Sequence, residues 1–252
     1  MNSKKIVAEF KRRFKIIESK GFIKSHRSSD TGIGKTFEDE IGVIENNLQD
    51  VDFMGYIEIK TKREESDSML TLFTQAPTSP KKANRYLQEK YGTPDTVFPE
   101  YKVLHTTVSG ADYNTFNEQK YGFKLECDDE TKRIYILVRD NQTGKILEDN
   151  IYYDYEVVKS RVEHKCAVIA FIDAETEKRD GWDYFHFTSV KLLSVISFDT
   201  FLEGIKTGIV KYDFRIGVYK SGRNKGKYHD HGSGFRIRRE DIPKLFNVEE
   251  LN

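Results

Sequence analysis

VDFMGYIEIKTK, residues 51–62, carries the most chemistry per residue in this chain. From Tyr56 to Thr61 apolar and polar residues alternate, the period of a β-strand. Side chains at i and i+2 of a strand share a face. Glu58 and Lys60 therefore project together, while Ile57 and Ile59 turn toward a core. Asp52 lies just upstream and joins them if the chain curves back. One reading is the ordinary charge balance of a half-exposed strand. The other is a pair of carboxylates that hold Mg²⁺ beside a lysine. Such an ion lowers the pKa of a bound water and stabilises charge on a scissile phosphate.

The 252 residues suit one large α/β domain or two lobes sharing a core. Hydrophobic residues make up 37% and aromatics 13%, enough for a substantial interior and unlike a disordered chain. No apolar run approaches the ~20 residues of a membrane span. The start, MNSKKIVAEFKRRF, has no apolar signal segment, so a cytoplasmic protein is expected. Cys127 and Cys166 fit no zinc spacing and are expected as reduced thiols.

The formal net charge is zero, but it is unevenly spread. Between Lys211 and Arg239 nine Lys and Arg face two Asp, a net of +7, which leaves −7 on the rest. A basic arm with interleaved aromatics and histidines points to a polyanion, double-stranded DNA above all, rather than to a plain solvated loop.

Periodicity predicts helices over 4–20, about 36–46, 81–91 and 189–206. Strands are predicted at 56–61, 69–74, 101–110, 121–128, 133–140, 146–155, 165–175, 209–222 and 234–239. The first two strands, with KREESDS between them, read as a hairpin. KCAVIAFIDAE reads as a strand buried on both faces. GIGKT, 32–36, invites comparison with a phosphate-binding loop, but Ser29 stands where that motif requires glycine. The alternative is a glycine-rich turn that opens a helix, with Glu38 one turn in, as a dipole partner or a third acid.

KYHDHGSGFRI, 227–237, places His229 and His231 on one side of a β-ribbon. Zinc would need further ligands. Base reading needs only side chains that reach the major groove, where arginine pairs bidentately with guanine. Asp213 and Arg215 stand on the strand before.

Taken together, TGIGKTFED (31–39), DFMGYIEIK (52–60), MLTLFTQAPTSPKKAN (69–84), LHTTVSG (104–110) and FRIGVYKSGRNKGKYHDHGSGFRI (214–237) resemble the MvaI/BcnI family of type II restriction endonucleases. They resemble more distantly the mismatch-repair nickase MutH. The resemblance implies an α/β, mixed-sheet, restriction-endonuclease-like PD-(D/E)xK core with a separate DNA-recognition lobe. In that pattern Asp52 and Glu58 ligate Mg²⁺, Lys60 is the catalytic lysine, and Glu38 completes the site. Val51 replaces the motif's proline, so Asp50 is a second candidate for the first ligand, with Asp52 preferred. The recognition lobe would use Asp213, Arg215, Lys225, Lys227, His229, His231 and Arg236. The resemblance further implies a monomer that nicks one strand at a time at a pseudopalindromic CC-N-GG site, with a lean to CCWGG and 5′-phosphate products. A cognate methyltransferase would accompany it. The lobes are expected at 1–175 (catalytic) and 176–252 (recognition, with the ribbon at 209–239). A MutH-like nickase and a DNA-binding module with an inactive core are the alternatives.

Overall fold

The computed structural model describes residues 2–29, 31–43 and 51–251. Asp50 and the expected helix end at 44–46 lie outside the described residues. The chain has a mixed α/β fold and divides into two compact units. One comprises residues 1–68, 163–195 and 246–252, and the other 69–162 and 196–245. This interleaved division does not follow the cut expected near residue 175. Hydrogen-bond ladders explain the difference. Strand Trp182–Val195 pairs with Ile169–Arg179 and with Phe246–Glu250, so all three stay in the first unit. Leu70–Thr74 pairs with Gly234–Ile237, which places residues after 69 with the basic segment.

In the first unit Glu58–Arg63 runs parallel to Ile169–Ala174, and the other pairings of this five-stranded sheet are antiparallel. Residues 169–174 are buried without interruption, as the apolar run predicted. Helices Ser3–Ser19 and Gly32–Ile41 bury Ile6, Phe10, Phe14, Ile33 and Phe37 in a core with Phe53, Ile57, Ile59 and Phe187. Phe10 meets Phe53 edge-on at 5.2 Å, and Phe37 meets Phe187 at 4.9 Å. These contacts seat both helices on the Ile57/Ile59 face and leave Glu58 and Lys60 for the opposite one.

The second unit contains a six-stranded sheet in the order Leu70–Thr74, Gly234–Ile237, Val210–Val218, Lys102–Val108, Thr93–Pro94, with Tyr228–Asp230 paired to the far half of Val210–Val218. A separate meander joins Tyr121–Asp128, Arg133–Asp140 and Ile146–Asp154.

Four readings are corrected. The strands at 58–63 and 70–74 do not form a hairpin, because each is paired within a different sheet. Residues 189–195 are strand rather than helix, and the helix is Phe198–Lys206. Val190 and Leu193, three apart as on a helix face, lie on opposite faces of this strand and are both buried, which mimics helical spacing. Tyr155–Lys165 is a helix that sequence periodicity does not reveal. GIGKT is also not a loop. The helix starts at Gly32, and the Lys35 ammonium pairs with Asp39 at 2.9 Å.

Candidate active site and nucleic-acid face

In the first unit a tight turn precedes the Glu58 strand. Met54 and Gly55 have positive φ (52° and 64°), and the Phe53 and Ile57 amides each donate to the other's carbonyl, at 2.9 and 3.2 Å. Glycine suits such a position because it lacks a Cβ. The turn reverses the chain, so the Asp52 carboxylate accepts from the Ile59 amide at 2.8 Å. Asp52 thus sits at the head of the strand.

Glu58 is 5% exposed. Its Oε1 accepts from Lys60 Nζ at 2.7 Å and its Oε2 from Lys165 Nζ at 3.0 Å. Burial raises the Asp52 pKa, and the Glu58 charge raises it further, against the opposing Ile59 amide, Lys60 and Lys165. Two acids therefore sense each other in a shared, poorly solvated space. That donor set fits a hard divalent cation, which commonly takes one or two carboxylates and completes its shell with water and phosphate oxygens. Cys166 lies beside the cluster, but burial pushes its thiol up to about 12, so it stays protonated.

The sequence pattern brought together Asp52, Glu58 and Lys60, and the structure does the same. Glu38 is different. It lies on helix Gly32–Ile41, and a Cβ on Gly34 would stand 3.9 Å from its Oε1 and 3.6 Å from Thr61 Oγ1. Among the described residues no group of three His, Cys, Asp or Glu side chains stands as a metal-holding cluster. Lys165 was missed. It ends helix Tyr155–Lys165, 107 positions from its Glu58 partner, a separation no local pattern reports.

In the second unit one face of the six-stranded sheet is apolar and the other polar. Tyr212, Phe214, Ile216 and Phe235 are fully or almost fully buried on the first. Asp213, Arg215 and Gly217 alternate onto the second. Cross-strand register adds Thr107 opposite Asp213, His105 opposite Arg215, His229 opposite Gly217, and Arg236 opposite Lys211. Asp213 accepts from Thr107 Oγ1 and from Arg236 Nη1, each at 2.5 Å, and Arg236 Nη2 donates to the Met69 carbonyl. Arg236 is thus held by protein partners, whereas Arg215 is exposed and, among the described residues, forms no ion pair.

His229 and His231 adjoin, their ring centres 3.9 Å apart, with Tyr219 against His229 at 3.9 Å. The intervening Asp230 shapes the turn. Its Oδ1 accepts from the Gly232 and Ser233 amides at 3.0 and 2.7 Å. Lys225 and Lys227 are exposed on the connecting loop, Lys225 with its ammonium 5.3 Å from the Phe98 ring centre.

A family model described as the MvaI/BcnI restriction endonuclease family matches residues 11–246. The chain belongs to the MvaI/BcnI restriction endonuclease family. Two solved structures agree. "Restriction endonuclease MvaI-cognate DNA substrate complex" is 34% identical with a TM-score of 0.91, covering all of both chains. "Restriction endonuclease MvaI in the absence of DNA" is also 34% identical, with a TM-score of 0.62, over 100% of this chain and 99% of that one. No curated protein sequence matches the chain. As a MvaI/BcnI member it is a site-specific deoxyribonuclease that acts on DNA, and restriction endonucleases of this family generally use a divalent metal. Among the described residues no helix is long and apolar enough to cross a membrane, and Cys127 and Cys166 are both free thiols.

Proposed function

We propose that this family member is a Mg²⁺-dependent type II restriction endonuclease. Its target is a short pseudopalindromic CC-N-GG site, CCWGG by the leaning of its HDHG segment, and it nicks one strand at a time as a monomer. The observation that carries the reading is half-buried Asp52 coupled to buried Glu58, with Lys60 Nζ 2.7 Å from Glu58. Asp52 and Glu58 would hold the ion, which when bound supplies a water of lowered pKa and charge stabilisation at the phosphate. The Ile59 amide fixes the Asp52 carboxylate, which limits the reorganisation needed for binding. Lys60, already beside Glu58, orients the attacking water and offsets charge on the phosphate. Lys165 keeps the second Glu58 oxygen neutralised.

On the other unit, Asp213, Arg215, His229, His231 and Arg236 would read base edges, with Lys225 and Lys227 on phosphates. The deposition of this face on DNA draws on its charge and on its likeness to MvaI, whose structure is a cognate DNA complex. A cytoplasmic location and a partner methyltransferase accompany the proposal.

Digestion of plasmid with Mg²⁺, followed by sequencing of the ends, tests it. Linear product with 5′-phosphate ends at one CC-N-GG sequence is expected. Nicked circles alone, persisting at full digestion, would favour a MutH-like nickase. Retardation without cutting in any divalent ion would leave only a binding module.

A further inference from the structure

The polar face of the second unit holds a histidine that the motif-based set omits. His105 lies on strand Lys102–Val108 directly opposite Arg215. It is exposed. A Cβ on Gly217 would stand 3.5 Å from His105 Nε2 and 3.5 Å from His231 Nε2. An imidazole from strand Lys102–Val108 and one from the turn after Tyr228–Asp230 thus converge over the one residue of that row with no side chain. Glycine at this position lets both ring nitrogens approach the strand, and the Arg215 charge acts on both rings. His231 is fixed in its place, because its ring packs on His229, which packs on Tyr219. Its amide also donates to the Arg215 carbonyl at 2.9 Å.

We infer that His105 is a specificity-determining residue of this endonuclease, which with His231 contacts the edge of one base pair in the DNA site. The inference rests on the reading of this face as the base-reading surface. An exposed imidazole has two uses on DNA. It can contact a phosphate, which is independent of sequence, or a base edge, which is not. The environment favours the second. Burial, then Arg215, lowers the His105 pKa, and burial, His229, His105 and Arg215 lower that of His231. Both shifts favour the neutral ring, which adds no charge for a phosphate. A neutral imidazole has one N–H donor and one acceptor nitrogen, the kind of group that separates base pairs in the major groove. Their position beside Arg215, in the middle of a row and flanked by Asp213, is that of a reader rather than of a rim contact.

The test is a binding and cleavage profile over duplexes in which each base pair of the mapped site is changed in turn. Wild type, His105→Ala, His105→Gln and Arg215→Ala are compared. Both His105 variants are on an exposed strand position, and the Gln variant retains a donor and an acceptor. His105→Ala is expected to reduce discrimination at one base pair by about 10- to 100-fold, the scale of a lost base contact, while discrimination at the other pairs holds. His105→Gln is expected to shift the preference at that same pair. An unchanged profile, or an equal loss on every duplex, overturns the inference. If Arg215→Ala alters the profile while His105→Ala does not, the face reads DNA and only the role of His105 falls. If neither variant alters the profile of a discriminating wild type, the base-reading assignment of the face falls with it.

Discussion

At the scale of single residues, position outweighs residue type. Arg236 is one of the residues expected to face DNA, and its guanidinium bridges Asp213 and the Met69 carbonyl. Asp213 is 8% exposed and depends on that partner. Arg236→Ala is therefore expected to destabilise the second unit by about 1–3 kcal/mol, the scale for stranding a buried polar group, as read by urea unfolding. A variant as stable as wild type would show that Asp213 does not depend on the arginine. Lys165 is the opposite case, a residue with no motif around it that binds Glu58. Lys165→Met removes one of the two ammoniums on that carboxylate. Calorimetric titration with Mg²⁺ in the absence of DNA is expected to show tighter binding than wild type, and weaker binding would mean that Lys165 props Glu58 in place for the ion.

At the scale of elements, local chemistry explains what was legible. The Ile57/Ile59 alternation correctly separated the two faces of strand Glu58–Arg63, because burial on one side is a period-two signal. The pairing partners of that strand were not legible. Its neighbour, Ile169–Arg179, is more than a hundred residues away, and the adjacent apolar strand 70–74 belongs to another sheet. Burial on both faces at Val190 and Leu193 likewise hid a strand behind helical spacing. In the candidate site the acid–amine pair could be read from i and i+2, whereas His105 and Lys165 join through cross-strand register and tertiary packing.

One buried tie holds helix Ala83–Tyr91 to strand Ile146–Asp154. Glu148 accepts from Tyr86, Tyr91 and Lys90 at 2.6–2.7 Å. Burial raises its pKa, but hydrogen bonds from Lys90, Tyr91 and Tyr86 outweigh burial and the net shift is downward. A lowered carboxylate stabilises the fold above its unfolded value and ceases to do so as pH falls through its folded value. Glu148→Gln is expected to lower stability by about 1–3 kcal/mol at pH 7, with the gap closing below the ordinary glutamate range. A gap that is constant with pH in thermal melts would assign the loss to packing alone.

At the scale of the whole molecule, a net charge of zero conceals a +7 segment at 211–239. If that segment lies on phosphates, each contact releases counterions, and affinity falls steeply between 50 and 200 mM salt, by roughly 10³–10⁵ for 6–10 contacts. The double variant Lys225→Ala/Lys227→Ala is expected to flatten the slope of log K against log salt by about two units while sequence preference is retained. A slope equal to that of wild type would place both lysines off the backbone.

The account depends most on Asp52, Glu58 and Lys60 acting as one cleavage site. Its most direct measurement is the single-turnover cleavage rate of Lys60→Ala on a cognate duplex in Mg²⁺, with binding recorded in parallel. The expected result is a loss of roughly 10²- to 10⁴-fold in rate with affinity within a few-fold of wild type. A variant that binds and cuts at the wild-type rate would contradict it.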